Sequence, residues 1–108
     1  MLRFFKSKDR NYIDIANRNK EKIIKKDVKS FKKYCIEEFE SNIKKGITIT
    51  TVDFAFRVSS EFQEEISELV LAELQEEYKE ISFSFVYRHY QNSYKALHMV
   101  AKEFKEMG

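Results

Sequence analysis

The chain has 108 residues, of which 43% are hydrophobic and 35% are charged, a balance typical of one folded domain over residues 1–108. Its single cysteine excludes an intramolecular disulfide and a cysteine-based zinc site, and it favours a reducing, cytoplasmic setting. No apolar run approaches the roughly 18 residues needed to span a bilayer, so we expect no membrane partner.

The net charge of +2 conceals a strong polarity along the chain. Residues 1–33 carry twelve Lys or Arg and four Asp or Glu, a net of +8. Residues 34–45 carry two lysines and three glutamates, and residues 46–108 carry six basic and eleven acidic residues, a net of −5. Such asymmetry predicts a basic N-terminal segment that binds a polyanion or docks on an acidic surface.

The first predicted element is a long basic amphipathic helix over residues 20–46. Residues 1–19 form a basic lead-in. The sequence also allows the helix to start within this lead-in, as early as Tyr12. Gly46 favours the left-handed conformation that ends many helices. A helix of this length spans roughly 40 Å, so we expect part of it to project from a small domain. One apolar stripe runs along it at helical spacing, formed by Ile24, Val28, Phe31, Cys35, Phe39 and Ile43.

Residues 47–58 are rich in β-branched side chains and alternate as a strand does, although the parity of the apolar positions changes near Thr51. A strand with such a change needs a bulge, a turn or a break. The rival interpretation starts a helix at Thr50 or Thr51 and continues it through Phe62. We favour the strand.

Three further elements are predicted after this strand. Residues 60–78 form an acidic amphipathic helix with capping-box spacing at its start. Its apolar stripe consists of Phe62, Ile66, Leu69, Val70, Leu74 and Tyr78. Residues 81–88 alternate apolar and polar side chains, as a strand with one buried face does. Asn92 or Ser93 caps a last helix over residues 92–107. The residues expected to face inward from that last helix are Tyr94, Leu97, Val100, Ala101 and Phe104.

These elements predict a small α+β domain in the order helix, strand, helix, strand, helix, with a sheet of two to three strands covered by helices. The pattern leaves parallel and antiparallel strand pairing open. Two strands alone make a marginal sheet. We therefore expect a third strand from the N-terminal residues, or completion of the sheet by a second copy of the chain in a homodimer.

The lysines of the first helix are the residues most suited to bind a partner. A helix with lysines on several sides can neutralise a handful of phosphates, with little sequence preference because lysine outnumbers arginine. A second patch combines tyrosine and arginine at a strand end, where unpaired bases stack or a protein docks. For both, the alternative is a solvated surface. The candidate binding residues are Lys22, Lys25, Lys26, Lys29, Lys32, Lys33, Arg88 and Tyr90.

No catalytic, metal or cofactor site is predicted. Cys35 lies on the apolar stripe without an identifiable base, and His89 and His98 lack partners at ligand spacing. We therefore expect a small non-catalytic protein that engages nucleic acid or a nucleoprotein complex through the lysine-rich helix. The alternative is an accessory protein of phage or mobile-element type, which inhibits or adapts a protein partner through the acidic helix or the Tyr/Arg edge.

Overall fold

The computed structural model describes residues 11–89 and 93–103. They form two helices and a three-stranded antiparallel sheet, which confirms the α+β class and the small sheet covered by helices. The first four predicted elements occur in the predicted order. The elements are α1 (Tyr12–Lys44), β1 (Ile49–Asp53), a short 3-10 turn (Ser60–Phe62), α2 (Gln63–Glu77), β2 (Ile81–His89) and β3 (Ser93–Ala101).

The prediction of a last helix was wrong, because the residues from Ser93 to Ala101 form β3. Alanine, leucine, methionine and lysine are good helix formers, and apolar side chains on both faces of a central strand hide the alternation of a strand. Pairing on both sides of β3 overrides these local preferences. The end of the predicted helix, residues 104–107, lies outside the described residues.

β3 lies between β1 and β2 and pairs antiparallel with both. Leu97 is opposite Val52 on one side and opposite Phe85 on the other. The third strand therefore comes from the C-terminal part of the chain. Residues 12–19 of the N-terminal segment are helical and supply no strand, and residues 1–10 lie outside the described residues. β1 and β2 run in the same direction but do not touch as strands.

α1 begins at Tyr12, the early start that the sequence left open, and it ends at Lys44, just before the predicted stop at Gly46. The side chain of Asn11 accepts a hydrogen bond from the Asp14 amide at 3.1 Å, and Gly46 follows the helix with φ +83°. The middle of the predicted stripe is buried, while the first turns remain exposed, with Ile13 70% accessible. The buried residues of α1 are Val28, Phe31, Cys35 and Phe39.

The strand after α1 is shorter than predicted. β1 ends at Asp53, and its buried side chains are Thr50 and Val52, whereas Ile49 is exposed. The even-numbered residues of β1, including Val52, therefore face the core. The predicted break falls after β1, where residues 54–59 form a loop. This loop replaces both the rest of the predicted strand and the alternative helix. In this loop Phe56 adopts φ +65°, a region unfavourable for a bulky residue.

α2 begins three residues later than predicted. Residues 60–62 form the 3-10 turn, and neither this turn nor α2 has a side-chain cap, so the predicted capping box does not form. The backbone amide of Ser59 instead donates to Asp27 of α1 at 2.8 Å. This bond fixes the start of the second helical segment against the first helix.

Both helices cover the same face of the sheet. Phe54 stacks on Phe31 of α1 with ring centroids 4.4 Å apart, and it meets Phe85 of β2 edge-on at 6.0 Å. The opposite face is called the open face here, because no described element packs on it. Its side chains are Ile49, Thr51, Asp53, Ser82, Ser84, Val86, Arg88, Tyr94, Ala96, His98 and Val100, by the strand register.

Candidate functional site

Five of the predicted binding lysines form one exposed face of α1. At 100° per residue, these five positions fall within an arc of about 100°. No ion pair within residues 11–89 and 93–103 engages any of them. We call this surface the lysine face, and its residues are Lys22, Lys25, Lys26, Lys29 and Lys33.

The sixth predicted lysine, Lys32, is bonded within the chain. Its ammonium lies 2.9 Å from Glu73 Oε1 and also donates to Glu77, both on α2. Burial lowers the pKa of Lys32, but the hydrogen bonds and charges of the two glutamates outweigh it, so the pKa is raised. Lys32 therefore joins α1 to α2 and is not part of the lysine face.

A second pair strengthens the contact between the two helices. Lys20 Nζ lies 3.0 Å from Glu65 Oε1 and 5.4 Å from the ring centroid of Phe62. Some of the opposite charges of α1 and α2 therefore pair with each other within one copy of the chain.

The lysine face borders a groove between α1 and α2. The groove has a volume of about 590 Å³ and is open to solvent along the helices. Its apolar floor includes Leu69, which is 43% exposed although the sequence places it on the apolar stripe of α2. Lysines line its α1 wall and glutamates its α2 wall. The lining residues that matter here are Lys25, Lys29, Lys33, Glu73 and Glu77.

The second predicted patch is only partly described. Arg88 reaches across the open face from β2 to β1, where its Nε lies 3.3 Å from Asp53 Oδ1 and its guanidinium donates to the Thr51 carbonyl at 3.4 Å. The Asp53 contact is an ion pair that does not meet hydrogen-bond geometry. Arg88 is therefore engaged within the fold, and Tyr90 lies outside the described residues.

Sequence reasoning missed a buried lysine in the sheet. Lys95 is 6% exposed on the helix-facing side of β3, where its ammonium donates to Glu64 at 3.0 Å and to Ser67 Oγ at 2.9 Å. It also lies 4.0 Å from the centroid of the Phe85 ring. Once β3 is known to be a strand, the shared parity of Lys95 and Leu97 predicts that Lys95 points inward.

Cys35 of α1 and His98 of β3 have the surroundings of structural residues. Cys35 is fully buried, and burial raises the pKa of its thiol to about 12, so it is not a thiolate at neutral pH. His98 Nδ1 lies 2.9 Å from Thr51 Oγ1 on the open face. Residues 11–89 and 93–103 contain no group of three His, Cys, Asp or Glu side chains arranged to hold a metal ion.

Within the same residues, no helix combines the length and the apolar character needed to cross a membrane.

Comparisons with protein families, with curated proteins and with solved structures give no match for this chain. The geometry of its side chains is therefore the basis for a functional proposal.

Proposed function

We propose that the chain is a small non-catalytic binding protein that engages the phosphate backbone of nucleic acid, free or in a nucleoprotein complex, through the lysine face of α1. The observation that carries this proposal is the separation of the α1 cations. Lys20 and Lys32 neutralise glutamates of α2, whereas the five lysines of the lysine face have no carboxylate partner among the described residues.

The dimensions of the lysine face suit a phosphate backbone. From Lys22 to Lys33 it extends about 16 Å along the helix axis at 1.5 Å per residue. Duplex DNA presents one charge per 1.7 Å or so of its axis, so five lysines on such a length meet an excess of phosphates. Lysine ammonium groups act as point charges and read no base edges, which favours binding without sequence preference.

Fluorescence anisotropy with a labelled random-sequence duplex and a matching single strand, over a salt series, tests the proposal. Five lysine–phosphate contacts predict a log–log salt slope of about −4.5 on duplex DNA. The triple variant Lys25→Gln/Lys29→Gln/Lys33→Gln removes three contacts and should reduce the slope to about −1.8. The matched control, Lys44→Gln/Lys45→Gln/Lys102→Gln, makes the same charge change at exposed lysines outside the lysine face.

Equal loss of binding in the two triple variants would mean that net charge, and not the lysine face, drives the interaction. No binding at low salt would reject the nucleic-acid proposal altogether. We propose the cytoplasm as the setting, on the ground that the sequence contains one cysteine.

A protein partner is the second candidate, and Phe56 is the observation that favours it. The Phe56 side chain is 98% exposed while its backbone has φ +65°. An exposed aromatic residue on a strained backbone is typical of contact residues. A photoreactive phenylalanine analogue at position 56 should then give one discrete cross-linked partner in cells, whereas the same analogue at the exposed position 79 should not.

A further inference from the structure

The outer edge of β2 is a nine-residue strand edge without a described cover. The strand order β1-β3-β2 places β2 at the edge of the sheet, and no strand within residues 11–89 and 93–103 pairs with its outer side. Such an edge presents a row of backbone donors and acceptors that can template another strand.

The register identifies which backbone groups point outward. The Lys102 amide donates to the Glu80 carbonyl at 2.9 Å, so residue 80 faces β3. Because successive residues alternate, residues 82, 84, 86 and 88 also face β3, and residues 81, 83, 85 and 87 face outward. A contact from α2 supports this assignment. The side chain of Gln75 donates to the Phe83 carbonyl at 3.4 Å, so this carbonyl does not point toward β3.

Most devices that protect edge strands are missing from β2, and its one charged side chain, Arg88, turns across the sheet to Asp53. Its sequence, ISFSFVYRH, has no proline and no lysine, and its pairing with β3 runs without a bulge from Ile81 to His89. Tyr87 is 58% exposed near the end of the strand. The Gln75 contact is long and occupies one of the two acceptor positions of a single carbonyl.

We propose that β2 pairs antiparallel with β2 of a second copy, with Phe85 on the two-fold axis, so that two three-stranded sheets become one sheet of six strands. This register brings all nine residues of each strand into the pairing and joins outward-facing groups only to outward-facing groups. Across the axis, Ile81 lies opposite His89, Ser82 opposite Arg88, Phe83 opposite Tyr87, and Ser84 opposite Val86.

The side chains favour this register. Phe83 with Tyr87 and Phe85 with its symmetry mate form aromatic pairs on the helix-facing side, which stabilise neighbouring strands and cover the exposed Tyr87. Arg88 lies opposite serine, so no like charges meet, whereas a register centred on Arg88 would place two guanidinium groups together. The proposal does not depend on nucleic-acid binding, since the lysine face lies on α1.

Sedimentation equilibrium across roughly 1–200 µM chain is the first test, with dimer formation expected. Tyr87→Pro removes an outward amide and leaves the bonds to β3, so it should weaken the dimer at least about tenfold relative to Tyr87→Thr, which keeps that amide. Because the two acidic α2 helices lie on the same side of the joined sheet, the dimer should tighten when salt is raised from about 0.1 to about 0.5 M.

Disulfide cross-linking tests the register without disrupting β2. Ser84→Cys/Val86→Cys places facing cysteines in non-hydrogen-bonded pairs about 4.5 Å apart at Cα, which a disulfide spans. Ser82→Cys/Ser84→Cys keeps the same spacing within one chain but has no facing cysteine. The native Cys35 is buried and does not interfere.

A covalent dimer from the first double variant alone is the expected result. Each of three results would overturn the proposal: a wild-type monomer throughout the concentration range, a dimer unaffected by Tyr87→Pro, or equal cross-linking of both double variants.

Discussion

Replacing Phe56 by glycine or asparagine is expected to stabilise the fold, because this residue combines an unfavourable backbone conformation with almost no burial. Its φ is +65° and its side chain is 98% exposed. The loop is nonetheless fixed, since the amides of Arg57 and Val58 both donate to the Phe54 carbonyl, at 3.1 and 3.3 Å. The backbone therefore cannot relax without breaking these bonds.

The expected gain follows from two opposing terms. A non-glycine residue pays roughly 1–2 kcal/mol in the left-handed region, which glycine does not. Glycine in turn loses roughly 0.5–1 kcal/mol more chain entropy on folding. Phe56→Gly should therefore raise the free energy of unfolding by about 0.5–1 kcal/mol, which corresponds to roughly 2–8 °C in Tm. Asparagine tolerates the same region and should give a similar gain.

Urea unfolding of the variants measures this effect, provided the slope of the free energy against urea stays constant. Phe56→Ala is the matched control, because alanine removes the ring but keeps the Cβ atom that disfavours positive φ. If alanine stabilised the fold as much as glycine, removal of the exposed ring would be the cause. If glycine and asparagine gave no gain over alanine, the reasoning from backbone strain would be refuted.

Three further predictions probe the interior and the charged contact between α1 and α2. Lys95→Met should leave the free energy of unfolding unchanged or raise it, because its partner Glu64 is 75% exposed and stays hydrated. Ser67→Ala, which removes an acceptor of the buried ammonium, should lower the free energy of unfolding by roughly 1–3 kcal/mol. Cys35, with its thiol pKa raised to about 12, should resist alkylation in the native state and should lower stability as pH rises from about 9 to about 12. Glu73→Gln/Glu77→Gln frees the α1 lysine that both glutamates hold, so it should strengthen duplex binding and steepen the salt slope by about 0.9.

Each of these predictions has a specific control. Urea unfolding gives the first comparison, and a larger loss for Lys95→Met than for Ser67→Ala would contradict it. For the thiol, the sign follows from the raised pKa: the unfolded chain loses its proton first, so the folded state is disfavoured between the two pKa values. In Cys35→Ala, the fall of the free energy of unfolding with rising pH should lack the contribution of this thiol. For the glutamate pair, anisotropy on Glu61→Gln/Glu76→Gln controls for charge alone.

The helices could be predicted from sequence because their determinants are local. Val28, Phe31 and Cys35 recur at helical spacing, and Gly46 ends the stripe with the positive φ that it was expected to adopt. α2 likewise buries Ile66 and Val70 along its predicted stripe.

The last strand could not be predicted in this way, since its stability comes from β1 and β2 and not from its own sequence. Leu97 and Met99 are fully buried and alternate, but Ala96 is also buried, on the open face. A pattern that is apolar on both sides fits a helix as well as a central strand. The only indication of a further strand was that the two predicted strands were too few for a stable sheet.

The candidate site was predictable only in outline. Lys29 and Lys32 are three residues apart on α1, yet one is exposed and the other is held by two glutamates. Which lysine faces α2 depends on how the two helices cross, and no local pattern fixes that angle. The position of Lys95 depends on the missed strand and could not be reached without it.

The charge polarity of the chain has a structural consequence for any polyanion. Because Lys20 and Lys32 are paired with α2, the glutamates of α2 stay beside the lysine face and line the far wall of the groove. A phosphate backbone entering that groove would meet Glu73 and Glu77, so it should follow the α1 ridge on the side away from α2. In the proposed complex, the acidic helix would act through repulsion and restrict the orientation of the polyanion, while the lysines would supply the attraction.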